Sequence, residues 1–246
     1  MDGTDYVFIL IAYVVAAAIK GFTGIGFSTS CLPIMALHLD LKVAIPLVII
    51  PSIISNIAVM IQAGHFRDAI GRFWPLYAAS VPGLLIGLTV LVAIDADVAK
   101  AILGLVLIAY AVWSLSNKPF SLSGERERTF KIPTGFLTGL INGITGSQVM
   151  PLLPFLLSLN LQKKPFVQAI NISFTLSSLI MLFGLNQLGY FSTDIFMAAV
   201  IGLIPVLIMI FFTARLQHRL TGTLYRRLVL GFLLIMGLVL IIRIVF

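Results

Sequence analysis

The same short motif occurs twice in the chain, once in each half, and each copy interrupts an apolar stretch. The first reads Lys20-Gly21-Phe22-Thr23-Gly24-Ile25-Gly26 and the second Asn142-Gly143-Ile144-Thr145-Gly146-Ser147-Gln148. Gly21/Gly143, Thr23/Thr145 and Gly24/Gly146 match at a constant spacing of 122 residues. A helix long enough to be apolar yet broken at the same place in both halves restricts the chain to two copies of one unit. In membrane proteins such paired breaks point to a binding site between the copies.

Lipid must be the solvent. The chain is 60% hydrophobic and 10% charged, with a mean hydropathy of +1.12, whereas a soluble domain carries about 25% charged residues. So few polar side chains cannot cover a surface facing water. The 246 residues make one membrane bundle, with no stretch polar enough for a separate soluble domain. A net charge of +7 in a soluble protein would suggest nucleic acid; here the basic residues gather in short loops between apolar spans, so no nucleic-acid partner is expected. Cys31 is the single cysteine and excludes an intramolecular disulfide. The acidic start, Met1 to Asp5, lacks the basic region of a cleaved signal, and no removed segment is expected.

Six segments reach the roughly 20 apolar residues that a crossing helix needs: 43–63, 73–94, 98–115, 165–185, 195–213 and 224–245. Loop 64–72 carries Arg67 and Arg72. Loop 116–131 carries Lys118, Arg126, Arg128 and Lys131, and loop 214–227 carries Arg215, Arg219, Arg226 and Arg227. The positive-inside rule puts these three loops in the cytoplasm. Loops 94–97 and 186–194 have no Lys or Arg and face outward. Segment 131–160 then enters and leaves from inside, with Lys163 and Lys164 at its exit, and segment 5–38 enters and leaves from outside. Each arm of the second segment, 131–142 and 148–159, covers roughly 18 Å, short of the ~30 Å core. Two half-helices meeting at a glycine turn near mid-membrane fit both facts.

The expected fold is an all-α integral membrane protein of two inverted repeats, 1–118 and 119–246, within a single membrane domain 1–246. Each repeat is a glycine-broken re-entrant hairpin followed by three transmembrane helices, with both termini outside. The competing arrangement has eight crossings and parallel repeats, and would place Lys163 and Lys164 outside or reverse another basic loop. Two further matches keep the same order: Val81-Pro82-Gly83-Leu84-Leu85-Ile86 with Ile204-Pro205-Val206-Leu207-Ile208-Met209, and Leu103-Gly104-Leu105 with Leu230-Gly231-Phe232.

The run Ile19-Lys20-Gly21-Phe22-Thr23-Gly24-Ile25-Gly26-Phe27 followed by Pro33 resembles the TauE/SafE sulfite-exporter family. So does Gly139-Leu140-Ile141-Asn142-Gly143-Ile144-Thr145-Gly146-Ser147 through Pro151 and Pro154. The likeness covers nearly the whole chain, although Ser147-Gln148 replaces the family's usual glycine-rich run. It implies transport of small anions, often sulfur oxyanions or organosulfonates, in the bacterial cytoplasmic membrane. Substrate and direction vary across the family.

Lys20 is the sharpest candidate residue. A charge at mid-membrane costs about 2.5–3.5 kcal/mol on insertion scales, and no acidic residue within the apolar stretches can pair with it. A bound anion would supply the partner; snorkelling to a shallower position is the competing reading. After each break a new half-helix is expected, near Gly24–Ser28 and near Gly146–Gln148, whose free N–H groups attract anions. Thr23, Ser28, Thr145, Ser147 and Gln148 add donors, and Gly21, Gly24, Gly26, Asn142, Gly143 and Gly146 complete the expected substrate site. In the competing reading the glycines serve close helix packing. Asn56 and Asn171, with Ser52 and Ser173, are expected to line a cavity or to bond between helices. Pro82 and Pro205 are expected to kink their helices.

Asp40, Asp68, Asp95, Asp97 and Asp194 fall near span ends, as do His38, His65 and His218. A coupling ion would therefore be Na+ held by carbonyls and hydroxyls, or H+ on a shallow carboxylate such as Asp40; uncoupled anion movement is the third route. No HExxH or GxSxG motif and no clustered metal-ligand set is present, so neither an enzyme, a metal nor a cofactor is expected. The expected function is a secondary anion transporter, with an anion channel on the same scaffold as the alternative. Partners are the small anion, membrane lipid and, compatibly, further copies of the chain.

Overall fold

A computed structural model of the chain describes residues 3–116, 121–216 and 222–245. Lys118, His218, Arg219 and the boundary between the two expected repeats lie outside the described residues. The elements are α1 (Gly3–Thr23), α2 (Phe27–Ala36), α3 (Leu41–Ala63), α4 (Phe66–Ala93), α5 (Ala96–Leu115), α6 (Glu125–Thr145), α7 (Leu152–Ser158), α8 (Lys163–Gln187), α9 (Thr193–Ile201), α10 (Leu203–Leu216) and α11 (Gly222–Val245). No strand occurs among the described residues. Backbone groups in lipid must be satisfied within their own segment, and an all-helical chain does this.

Six stretches among the described residues are long and apolar enough to cross a membrane: α1, α3, α4, α5, α8 and the continuous run Thr193–Thr213. Five coincide with expected spans, and the sixth expected span, 224–245, falls within α11. The addition is α1. It was expected to be a short arm, yet its 21 residues rise roughly 31 Å. In the second half, α6 likewise starts six residues before Lys131 and runs 21 residues, whereas α7 has only 7. Each broken segment therefore has one long and one short arm, not two equal halves. The reason lies in the motif: Gly21 and Gly143 stay helical, and the break falls three residues later, at Gly24 and Gly146.

Those helical glycines pack. A Cβ at Gly143 would lie 2.4 Å from Leu84 O, one at Gly139 2.0 Å from Ser80 O, and one at Gly135 2.1 Å from Leu76 O. Gly83 and Gly87 meet Phe136 and Leu140 from the other side. The contacts advance together along both helices, so α4 and α6 run parallel with backbones touching, as small residues allow in membranes. In the same sense α1 runs parallel to α9 and α10: Gly202 faces the Tyr13 ring, and Gly21 faces Ile210 and Thr213. By contrast α5 and α11 cross antiparallel. Gly104 meets Gly237 and Ile241, while Gly237 meets Gly104 and Ile108. Gly104 thus has Gly237 opposite it, with Gly231 in open space, so the sequence match of Gly104 with Gly231 has no counterpart in this contact.

The ends of each broken segment lie side by side. His38 Nε2 is 3.0 Å from Asp5 Oδ1 and its ring stacks on Phe8 with centroids 4.6 Å apart. Leu122 N–H donates to Ser158 O at 2.9 Å, and Asn160 Nδ2 donates to Ser121 Oγ at 3.1 Å. Of the two expected proline kinks, α4 passes through Pro82 without interruption, whereas the α9–α10 run pauses at Gly202, three residues before Pro205.

At the mouth of the α4–α6 pair, Arg72 Nε and Nη2 grip both Glu127 carboxylate oxygens at 2.8 and 2.7 Å, and Lys131 lies 3.0 Å away. The Arg72 hydrogen bond, aided by Lys131 and opposed by burial, holds the Glu127 carboxyl below its ordinary 4.5. A lowered acid stabilises the fold above its unfolded value, and that share disappears as pH falls through the lowered one. Wild-type melting temperature should therefore drop more steeply than that of Glu127→Gln between about pH 5 and pH 3. Equal pH profiles would show that the pair contributes nothing.

Candidate functional site

The two motifs fold alike. Gly24 N–H donates to Lys20 O at 2.6 Å and Gly146 N–H to Asn142 O at 2.7 Å. Both glycines have positive φ, +77° and +70°, the left-handed conformation that ends a helix and that side chains resist. Thr23 Oγ1 donates to Ile19 O at 2.8 Å and Thr145 Oγ1 to Ile141 O at 2.7 Å. Each threonine oxygen then accepts from the N–H two residues on, Ile25 or Ser147, at 3.2 Å. The paired threonines thus tie off the helix ends, and their protons are engaged there.

Beyond the breaks the halves diverge. Gly26, at φ +87°, caps α2, which starts at Phe27 as expected. In the second half no helix starts at Gly146–Gln148. Residues 146–151 are irregular and α7 begins at Leu152, where Leu153 N–H is already bonded to Val149 O at 3.0 Å. That expected helix N-terminus is therefore displaced. Pro151 and Pro154 explain the delay, since Pro151 fits a helix entry better than an interior.

Lys20 sits in the last turn of α1, not at the tip, and is 1% exposed. Its Nζ donates to Asn56 Oδ1 of α3. Among the described residues no carboxylate lies within ion-pair distance of it. One turn back on α3, Ser52 Oγ bonds Ser28 Oγ of α2 at 2.6 Å. Asn171 of α8 reaches across to the first break, its Nδ2 donating to Gly24 O at 3.1 Å and to Val167 O at 2.7 Å. Asn56 and Asn171 therefore both serve the first break, one through Lys20 and the other through the backbone.

Buried polar groups without partners lie on α6, on α8 and in the stretch that follows the second break. Among the described residues, Asn142 Nδ2, Ser147 Oγ, Gln148 Oε1, Asn171 Oδ1, Ser173 Oγ, Thr138 Oγ1 and Ser177 Oγ have no hydrogen-bond partner. A cavity of about 10 Å³ lies here, lined by Ser28, Asn142, Gly146, Gln148 and Ser178 among apolar side chains of α2, α3 and α8. Thr138 and Ser177 are not among the site residues expected from the sequence. Their signal was the i,i+4 spacing of Thr138 with Asn142 and of Ser173 with Ser177, which puts each pair on one helix face. Asp40, a candidate for coupling, accepts from Lys42 N–H at 2.8 Å and caps α3.

Long apolar helices around two glycine breaks, with charge and polar groups buried between them, define a polytopic integral membrane protein. Residues 9–240 match the family described as Sulfite exporter TauE/SafE. The chain belongs to that family. Neither the curated proteins nor the solved structures yielded a match to it.

Proposed function

We propose that the protein is a secondary transporter that moves a small anion, a sulfur oxyanion or organosulfonate, across the cytoplasmic membrane of a bacterium. The observation that carries this is Lys20: an ammonium inside the bundle whose neighbour is a neutral amide oxygen. A charge so placed lacks a counter-ion, and an anion supplies one.

The transport cycle is alternating access between two inverted repeats. In support, equivalent helices α5 and α11 cross antiparallel, as an axis in the membrane plane requires. Ile45 and Val167, 122 residues apart, lie against Gly146 and Gly24 respectively, so each repeat covers the other's break. The adjoining ends of segments 5–38 and 122–158 support re-entrant hairpins opening on opposite faces, with both termini outside. The second break leaves room for about one water, which favours an occluding transporter over an open anion channel.

The test is thermal stabilisation of purified protein by sulfite, thiosulfate, sulfate, taurine and sulfoacetate, wild type beside Lys20→Ala. One anion should raise the wild-type melting temperature in a saturable way and leave the variant unmoved. No shift with any anion would remove the sulfur-anion reading. An equal shift in both proteins would take Lys20 out of the site.

A further inference from the structure

Lys20 and Asn142 hold the same place in the two motifs, and Asn56 and Ser178 share the same 122-residue spacing. In the first half the Lys20 side chain reaches from α1 to α3 and donates to Asn56 Oδ1. In the second half the counterparts Asn142 and Ser178 both line the cavity, and Asn142 ends well short of a lysine's reach. We infer that this cavity is a site for one desolvated monovalent cation of the sodium class, the exchangeable equivalent of the tethered Lys20 ammonium.

Size and chemistry select the occupant. A volume of about 10 Å³ accepts a particle the size of one water and rejects a sulfur oxyanion or a sulfonate. The lining supplies oxygens: Ser28 and Ser178 hydroxyls, the partnerless Gln148 Oε1, and the Asn142 amide, whose nitrogen also lacks a partner, so that a half-turn presents oxygen to the cavity. Gln148 is 7% exposed and Asn142 2%, so both groups are withdrawn from bulk solvent. No carboxylate lines the cavity, which argues against Mg2+ or Ca2+, since both depend on acidic ligands. In the first half the equivalent position holds the Lys20 amine against a neutral oxygen, Asn56 Oδ1.

Binding of the ion stands on these residues; its role in coupling rests on the anion-transport reading above. The test uses purified protein in lipid nanodiscs, free of sulfur anions, with sodium, potassium or choline chloride at constant ionic strength. Wild type should bind radioactive sodium saturably, displaced by unlabelled sodium and not by choline, and should melt at a higher temperature in sodium. Gln148→Leu removes one oxygen and should weaken sodium binding by about tenfold or more. Asn142→Lys places an ammonium in the cavity and should abolish both sodium responses. Absence of saturable sodium binding to wild type overturns the inference, and leaves a bound water as the occupant. So does sodium binding that both variants retain unchanged. The anion test reads separately: an anion response lost in Lys20→Ala without sodium binding sinks only the cation site. Sodium binding without any anion response sinks the transport reading and leaves this site standing.

Discussion

Gly139→Leu should leave no folded protein in detergent extracts, and Gly139→Ala alone should cost about 3 kcal/mol. The added Cβ would fall 2.0 Å from Ser80 O and 2.8 Å from Leu84 N, both backbone atoms of α4 that cannot turn aside. Relief requires α4 and α6 to separate, and the same seam is shared by Gly83, Gly87, Gly135 and Gly143. Helix propensity works the other way, since alanine is better than glycine by about 1 kcal/mol. Gly231 isolates that term: it is a helical glycine with nothing within 4 Å of a built Cβ. Gly231→Ala should therefore melt at or slightly above wild type, while Gly139→Ala melts far below it. Fluorescence-detected size exclusion after a heating series measures both. Equal behaviour of the two alanine variants would mean that the α4–α6 contact is not tight.

The second large effect concerns Asn56. Replacing it by leucine removes the oxygen that receives Lys20 and leaves a buried ammonium with no partner. Leaving a buried donor without its acceptor costs about 1–3 kcal/mol, and more when the donor is charged. Lys20→Met removes the charge, so Asn56→Leu added to it should cost far less than Asn56→Leu alone. A double-mutant cycle on melting free energies reads this coupling directly. Additive losses would show that Lys20 finds another partner when Asn56 is gone. The stability cycle and the anion response of Lys20→Ala are separate readouts, one of folding and the other of binding.

The duplicated motif locates the breaks but does not say which of its glycines break the helix and which pack. Gly24 and Gly146 end helices because they adopt positive φ, and that is legible in a duplicated motif. Gly21 and Gly143 look the same in the chain, yet their reason is contact with α10 and α4, partners far away in sequence. Reading them as breakers shortened both hairpin arms. The bulk of the spans were found because apolar length is a local property. The start of α6 was missed because its first turns, with Glu125, Glu127 and Arg128, are polar and read as loop. The burial of Lys20 follows from its place in an apolar stretch; its acceptor is not legible in the chain, since Asn56 becomes its neighbour only in the folded bundle. The Asn171 bond to Gly24 is of the same kind, joining residues 147 apart.

Each hairpin finds its parallel companion in the other half of the chain, α1 with α10 and α4 with α6. This has a consequence for biosynthesis. When α1 and α2 leave the ribosome, the surface that Gly21 fits is still some 190 residues from being made. The glycine face of α1 must therefore stay open, in the insertion machinery or in lipid, until α10 arrives. The two halves carry matching glycine motifs, but neither contains the surface that its own broken segment packs on. A chain severed in the loop between them would have to assemble as a heterodimer before either piece could reach its native packing.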